Sequence, residues 1–205
     1  MGYFITLEGI EGAGKSTNAR LLSEHIEQSG RQVLLTREPG GTQVGETIRT
    51  LLLDSHQLNI TADTELLLMF AARAEHLDKA IKPALSAGKV VVCDRFTDAS
   101  YAYQGHGRSI PTERISVLES WVQGDLKPDL TLLLDVPVEI GIKRISARGS
   151  ADRFERERAE FFEAVRDCYI SLAKTDAERI RIIDATLPLS EVQAKIRSLV
   201  DSVLT

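Results

Sequence analysis

A three-layer α/β fold, with one parallel sheet of five strands between helices, is predicted for this 205-residue chain from two observations. Five apolar, strand-like runs (3–7, 32–36, 89–94, 130–135 and 179–184) alternate with stretches of helical periodicity, the pattern of βα units whose strands pair in parallel. Between the first strand and the first helix lies Gly9-Ile10-Glu11-Gly12-Ala13-Gly14-Lys15-Ser16, followed by Thr17, at the carboxyl edge where such sheets gather ligands. A single domain over 1–205 accommodates the length.

The first strand, Tyr3-Phe4-Ile5-Thr6-Leu7, is β-branched and aromatic and reads as buried. The loop after it fits G-x-x-x-x-G-K-[ST] in full, in the strand–loop–helix setting that gives the pattern its meaning. Gly9, Gly12 and Gly14 let the backbone curl until successive N–H groups point inward, and the next helix adds the positive end of its dipole. That is a polyphosphate site. Lys15 is placed to reach the β- and γ-phosphates, and the Ser16 hydroxyl to take one position on Mg²⁺. Ala19, Leu22 and Ile26 then mark a helix that stops at Gly30.

The second strand, 32–36, runs into Arg37-Glu38-Pro39-Gly40-Gly41-Thr42, which is either a ligand loop or plain Pro-Gly turn chemistry. A helix over 44–53 carries Ile48, Leu51 and Leu52 on one face with Arg49 beside them, and a longer helix over 63–82 ends near Pro83. Within it Phe70 and Arg73 are neighbours on one face. They suit a planar base stacked on the ring with its edge on the guanidinium, or a plain core position alongside Leu66, Leu67 and Leu77.

The third strand, Lys89-Val90-Val91-Val92-Cys93-Asp94, has the continuous apolar character of a central parallel strand. Asp94-Arg95 at its end offers a carboxylate near a metal and a guanidinium fork for an acceptor phosphate, or a structural ion pair. The segment 97–105 is rich in hydrogen-bonding side chains and suits a pocket wall. Pro111 opens a helix carrying Ile115, Leu118 and Val122, with Trp121 packed beside them. After the strand 130–135, Pro137 starts a helix that closes on Arg144, Arg148, Gly149, Ser150, Ala151, Asp152 and Arg153, read as a hinged cationic lid or a solvated turn. A helix over 155–175, the strand 179–184 and a last helix capped by Ser190 with Gln193 complete the chain.

With 43% hydrophobic and 27% charged residues the composition is that of an ordinary globular protein, and a net charge of −5 argues against a nucleic-acid surface. No apolar run reaches the ~18 residues of a membrane span, and the N-terminus enters a strand directly, so the expected location is the cytoplasm, with no membrane partner. Cys93 and Cys168 lack metal-ligand spacing and are expected to fill core positions.

Taken together, the stretch from Leu7-Glu8-Gly9 through Ser16-Thr17, the segment Thr36-Arg37-Glu38-Pro39-Gly40-Gly41-Thr42, Asp94-Arg95 with 100–105, and Arg148-Gly149 with Asp152-Arg153-Phe154-Glu155 resemble the thymidylate kinase family, over essentially the whole chain. The resemblance implies a P-loop NTPase-like fold of the nucleoside monophosphate kinase type, with a lid at about 144–156, that transfers the γ-phosphoryl of ATP to dTMP with Mg²⁺, and a homodimer. It implies Lys15, Arg95 and Arg153 as catalytic residues. It places Gly9, Ile10, Glu11, Gly12, Ala13, Gly14, Lys15, Ser16 and Thr17 on the donor, with Arg144, Arg148 and Ala185, and Ser16 and Asp94 on the metal. On the acceptor side it places Arg95 at the phosphate with Arg49 as helper, Glu11 at the sugar 3′-hydroxyl, Phe70 and Arg73 at the base, Ser100 and Gln104 facing it, Tyr103 against the sugar 2′ position, and Pro39 in the same wall. Gly12 stands where some members carry a catalytic arginine, so the lid must supply that cation, and Arg153 matches the lid arginine of the bacterial type.

Two rivals compete with this reading. A kinase for another monophosphate keeps the phosphate loop and loses the meaning of Phe70, Arg73 and Tyr103. A GTP-dependent switch needs Asn/Thr-Lys-x-Asp after a strand, whereas Leu126-Lys127-Pro128-Asp129 lacks the first residue and precedes one.

Overall fold

The strand β1 (Tyr3–Glu8) is buried from Phe4 onward because it lies in the middle of a five-stranded sheet of order β2-β3-β1-β4-β5. The computed structural model describes residues 2–53, 59–147 and 152–204. Its other strands are β2 (Val33–Arg37), β3 (Val90–Asp94), β4 (Leu130–Asp135) and β5 (Ile180–Asp184), all paired in parallel. In register Leu7 sits opposite Asp94, Arg37 opposite Asp94 on the other side, and Asp135 opposite Asp184. The apolar stems of the strands therefore lie in the core while their charged last residues meet at one edge. That edge is the carboxyl end, as the sequence predicts.

Helices α1 (Lys15–Gln28), α2 (Gln43–Leu53), α3 (Ala62–His76), α6 (Thr112–Gln123), α7 (Val138–Ser146), α8 (Ala159–Thr175) and α9 (Leu189–Leu204) cover the sheet, together with the short α4 (Lys82–Ser86) and α5 (Thr97–Ser100). Cys93 and Cys168 are buried and free, in keeping with a packing role.

Several expectations change. The long helix does not end before Pro83. It passes through a wider π-helical turn, Leu77–Ile81, in which the Lys82 N–H reaches back to the Leu77 carbonyl, and continues as α4 with Pro83 as its second residue, the altered bonding at that turn accommodating a residue without an N–H. The segment predicted only as a pocket wall is helical, α5 running into a π-helical stretch, Tyr101–Gly107. The helix after the lid starts at Ala159, later than predicted. No capping box forms at α9, which begins at Leu189. Gln193 is buried and turns to Asn18 Oδ1 on α1, satisfying a polar group there instead of its own helix end. Trp121 and Leu67 are not packed in the core: they are 82% and 58% exposed, with Val117 beside them at 66%.

Candidate active site

The phosphate loop is tight because Gly9 and Gly12 are pressed against other backbone. Gly12 has φ +75°, and any Cβ there would collide with the Gly141 carbonyl at the start of α7. An arginine at position 12 is thus excluded by both strain and space. Lys15 is buried, with Nζ donating to the Ile10 carbonyl at 2.8 Å and lying 3.5 Å from Glu11 Oε2. Burial and the neighbouring Arg95 charge hold its pKa below the ordinary lysine value. The Ser16 hydroxyl donates to Asp94 Oδ2 at 2.6 Å, joining α1 to the end of β3.

Arg95 closes the other side of this loop. Its φ of 73° is the left-handed region that a long side chain rarely occupies, and it turns the chain at the end of β3 so that the guanidinium lies back over the loop. Nη1 donates to the Gly9 carbonyl (3.1 Å) and to Tyr169 Oη (3.2 Å). Nη2 donates to Tyr103 Oη (2.8 Å) and pairs with Glu11 Oε2 (2.7 Å). The same guanidinium stacks 4.5 Å from the Tyr103 ring centroid. Burial alone would raise the Glu11 pKa, but Arg95 and then Lys15 outweigh it and hold this carboxyl down at about 2. Glu8 behaves in the opposite way. It is fully buried, accepting from the Phe96 N–H and the Tyr169 hydroxyl at 2.7 Å each, and burial with the nearby Asp98 charge pushes it up to about 7.

A cavity of about 350 Å³ lies over these groups, lined on one wall by Gly12, Lys15, Ser16 and Thr17 and on the other by Pro39, Arg49 and Tyr103. Its size suits a small-molecule ligand. Arg49 donates to the Pro39 carbonyl at 3.0 Å. Phe70, Arg73, Ser100 and Gln104 do not line this open space. All four are buried, with Arg73 stacked on the Phe70 ring at 4.6 Å from its centroid, over the face and not at the edge. Phe70 also packs with Leu66, Ile110 and Ile115, so the core reading of that ring holds as well. Arg73 Nη1, Ser100 Oγ and Gln104 Oε1 are nevertheless buried without a hydrogen-bond partner, which is costly unless a ligand satisfies them.

Arg144 bridges two elements, giving Nη1 to the Gly12 carbonyl (3.3 Å) and Nη2 to the Ala185 carbonyl (3.0 Å). Arg148, with Gly149, Ser150 and Ala151, lies outside the described residues. Arg153 sits away from the phosphate loop. Nε donates to the Leu52 carbonyl at 2.8 Å and Nη2 to Glu65 Oε2 at 2.6 Å, while the guanidinium stacks on Phe154 at 4.5 Å.

The model of the thymidylate kinase family matches residues 7–196. The chain belongs to the thymidylate kinase family. It is 59% identical to the thymidylate kinase of Pseudomonas savastanoi pv. phaseolicola and 58% identical to that of Pseudomonas syringae pv. tomato, over 99% of this chain and 97% of each relative. The crystal structure of thymidylate kinase from Ehrlichia chaffeensis superposes with a TM-score of 0.79 at 35% identity, over 97% of this chain and 98% of that one. The family function is ATP-dependent phosphorylation of dTMP to dTDP, so a member is a phosphotransferase with this nucleoside monophosphate kinase fold.

The fold also joins residues to which the sequence reading gave no role, some of them inside the quoted motifs. Glu38 accepts from Arg73 Nε at 2.7 Å and faces His76 Nδ1 at 3.0 Å, and His76 Nε2 lies 2.7 Å from Thr36 Oγ1, a buried chain behind the predicted base contact. Glu65, Met69, Arg73 and His76 recur at helical spacing on the buried face of α3. A stripe that sinks a glutamate, an arginine and a histidine beside a methionine was the available signal, because such charges stay buried only when paired. Tyr169 and Glu8, from α8 and β1, are brought to Arg95 by tertiary packing alone.

Proposed function

We propose that in this chain the γ-phosphoryl of ATP moves to the dTMP phosphate within the cavity between the phosphate loop and Arg95. The observation that carries this reading is Arg95 itself, held by its left-handed backbone and four hydrogen-bonding partners directly across from Lys15 and Ser16. The acceptor is an ionised phosphate, so no general base is required, and the work is positioning and charge stabilisation. Glu11 occupies Arg95 and Lys15 in the ligand-free chain. Once phosphates take those cations, the Glu11 carboxylate is available to accept from the sugar 3′-hydroxyl.

Ser16 and Asp94, one hydroxyl and one carboxylate in contact, form an oxygen donor set that fits Mg²⁺ shared with phosphates and water. When bound, Mg²⁺ supplies charge neutralisation on the donor oxygens. Arg144 and the Ala185 backbone flank the donor nucleotide. Arg153 leaves Glu65 as the lid closes and stabilises the transferring group, since Gly12 leaves no room for a loop arginine. Tyr103, buried against Phe154 and Phe161, walls off the sugar 2′ position.

The test is a coupled ADP-release assay with ATP·Mg²⁺ and dTMP, dUMP, UMP, dCMP, dAMP or dGMP. Strong preference for dTMP, with dUMP second and UMP nearly silent, is expected. Turnover with another monophosphate would overturn the base placement, and ATP hydrolysis indifferent to every acceptor would overturn the acceptor site. A homodimer belongs to the same reading: Leu67, Val117 and Trp121 form an exposed apolar face on α3 and α6 that suits a second copy of this chain. Trp121→Glu is expected to convert dimer to monomer in light scattering. No helix among the described residues is long and apolar enough to cross a membrane, which fits action in the cytoplasm.

A further inference from the structure

Glu65 carries no role in the family pattern quoted above, yet its carboxylate is fully buried and meets three side chains from two parts of the fold, the Tyr101–Gly107 stretch with its capping Arg108 and the segment before α8. Oε1 accepts from Gln104 Nε2 at 2.8 Å, Oε2 accepts from Arg153 Nη2 at 2.6 Å, and Arg108 Nε lies 3.4 and 3.3 Å from the two oxygens. The orientation of a glutamine amide is ordinarily ambiguous, since its oxygen and nitrogen have nearly the same shape. Here it is fixed by chemistry. A carboxylate paired with two guanidiniums can only accept, so the Gln104 nitrogen must face it and the Gln104 oxygen must point the other way. That oxygen is buried and has no partner.

We propose that Glu65 is a positioning residue that sets base specificity: by holding the Gln104 nitrogen it makes the Gln104 oxygen a fixed acceptor for a ring N–H, and so selects an imide base over cytosine. The proposal rests on the placement of the dTMP base against Phe70, Arg73 and Gln104. Thymine and uracil present an N–H at ring position 3 beside a carbonyl at position 4, whereas cytosine presents a lone pair beside an amino group. A fixed acceptor matches the first pattern and opposes the second. Arg73, two turns further along α3, supplies the complementary half in the same manner. Glu38 holds its Nε and the Phe96 carbonyl its Nη2, which leaves Nη1 as a buried donor without a partner. Each half of the recognition pair is therefore oriented by a buried glutamate.

Two guanidiniums lean on Glu65, and Arg108 is itself paired with Glu157 and stacked on Phe161, so the polarity of Gln104 does not rest on Arg153 alone.

The experiment is steady-state kinetics on the whole enzyme with dTMP, dUMP and dCMP, for wild type, Glu65→Gln, Gln104→Met and the double variant. A glutamine at 65 can accept or donate, so the amide of Gln104 is free to turn over. Glu65→Gln is expected to raise the dCMP:dTMP ratio of kcat/KM at least about tenfold, chiefly through the acceptor KM, with the dTMP:dUMP ratio unchanged. Gln104→Met is expected to relax the same ratio, and adding Glu65→Gln to it to change nothing more. Glu65→Asp, which keeps the charge for the arginines but draws back from Gln104, is run beside it in case Glu65→Gln does not fold, with the same shift expected. A wild-type ratio in Glu65→Gln or Glu65→Asp would overturn the proposal. So would a shift that persists at full size in the Gln104→Met background, because Glu65 would then act by another route. A wild-type enzyme that takes dCMP as readily as dTMP would overturn the base placement itself, a result read before any variant is made.

Discussion

Arg95 and Arg153 are assigned to the same phosphoryl group, yet the fold treats them in opposite ways. Arg95 is a fixed cation: one strained backbone angle and contacts from the phosphate loop, the Tyr101–Gly107 stretch and α8 hold it over the loop before any ligand arrives. Arg153 is tied instead to Glu65 and the Leu52 carbonyl, and on the proposed reading it is a cation held in store. The difference follows from what each must do. A group that grips an incoming phosphate gains from being preorganised, because no reorganisation is then needed at the moment of reaction. A group that completes the site only after both substrates are present protects ATP from water by arriving late.

Removing the fixed cation should have the larger effect. Arg95→Ala is expected to lower kcat/KM for dTMP by about 10⁴, through both KM and kcat, since on the proposed reading the residue contacts the acceptor in the ground state and the transition state alike. It should also release Glu11, Tyr103 and Tyr169 from their shared partner, so a lower melting temperature accompanies the loss. Arg153→Ala is expected to lower kcat by about 10³ while the dTMP Kd, from calorimetry without ATP, moves less than about threefold. Equal losses in Kd and kcat would place Arg153 in ground-state binding and erase the contrast between the two arginines.

That contrast was only half legible in the sequence. The backbone of the phosphate loop was legible, because its curled geometry is specified by a local pattern of Gly, Lys and Ser. The sheet edge was legible for a similar reason: apolar runs ending in Asp94, Asp135 and Asp184 fix where charged ends gather. What surrounds Arg95 was not legible. Tyr103 was expected in the pocket wall and Glu8 stands in the stretch around the phosphate loop, but together with Tyr169 they come from widely separated positions, and nothing local joins any of them to Arg95. Trp121 failed for the converse reason. A large apolar side chain at helical spacing predicts burial, but the rule runs one way, and an exposed apolar face has the same composition as a core. The resting place of Arg153 had no sequence signal at all, since Glu65 lies 88 residues earlier in the chain.

The finest distinction between the two cations concerns the proton balance of the carboxylates that lean on Arg95. Glu11 is depressed to about 2, so its contribution to stability is present above its unfolded value of 4.5 and is lost as pH falls from there toward 2. Glu8 is raised from 4.5 to about 7, and its sign is the reverse. Between those values the folded chain holds a proton that the unfolded chain has released, so stability falls as pH rises through this window and levels off above it. At about 1.4 kcal/mol per unit, Glu8 accounts for a loss of up to about 3 kcal/mol between pH 4.5 and pH 7. Glu8→Gln keeps an oxygen for the Phe96 N–H and removes the titration. Urea midpoints at pH 5 and pH 8 should then show the variant gaining on wild type as pH rises, by no more than that amount. Parallel profiles would mean that the proton on Glu8 is not set by its burial behind Arg95. Because the Glu11 window lies wholly below pH 4.5, the two carboxylates separate in one scan, and the difference between wild type and Glu8→Gln that develops over pH 4.5–7 belongs to Glu8.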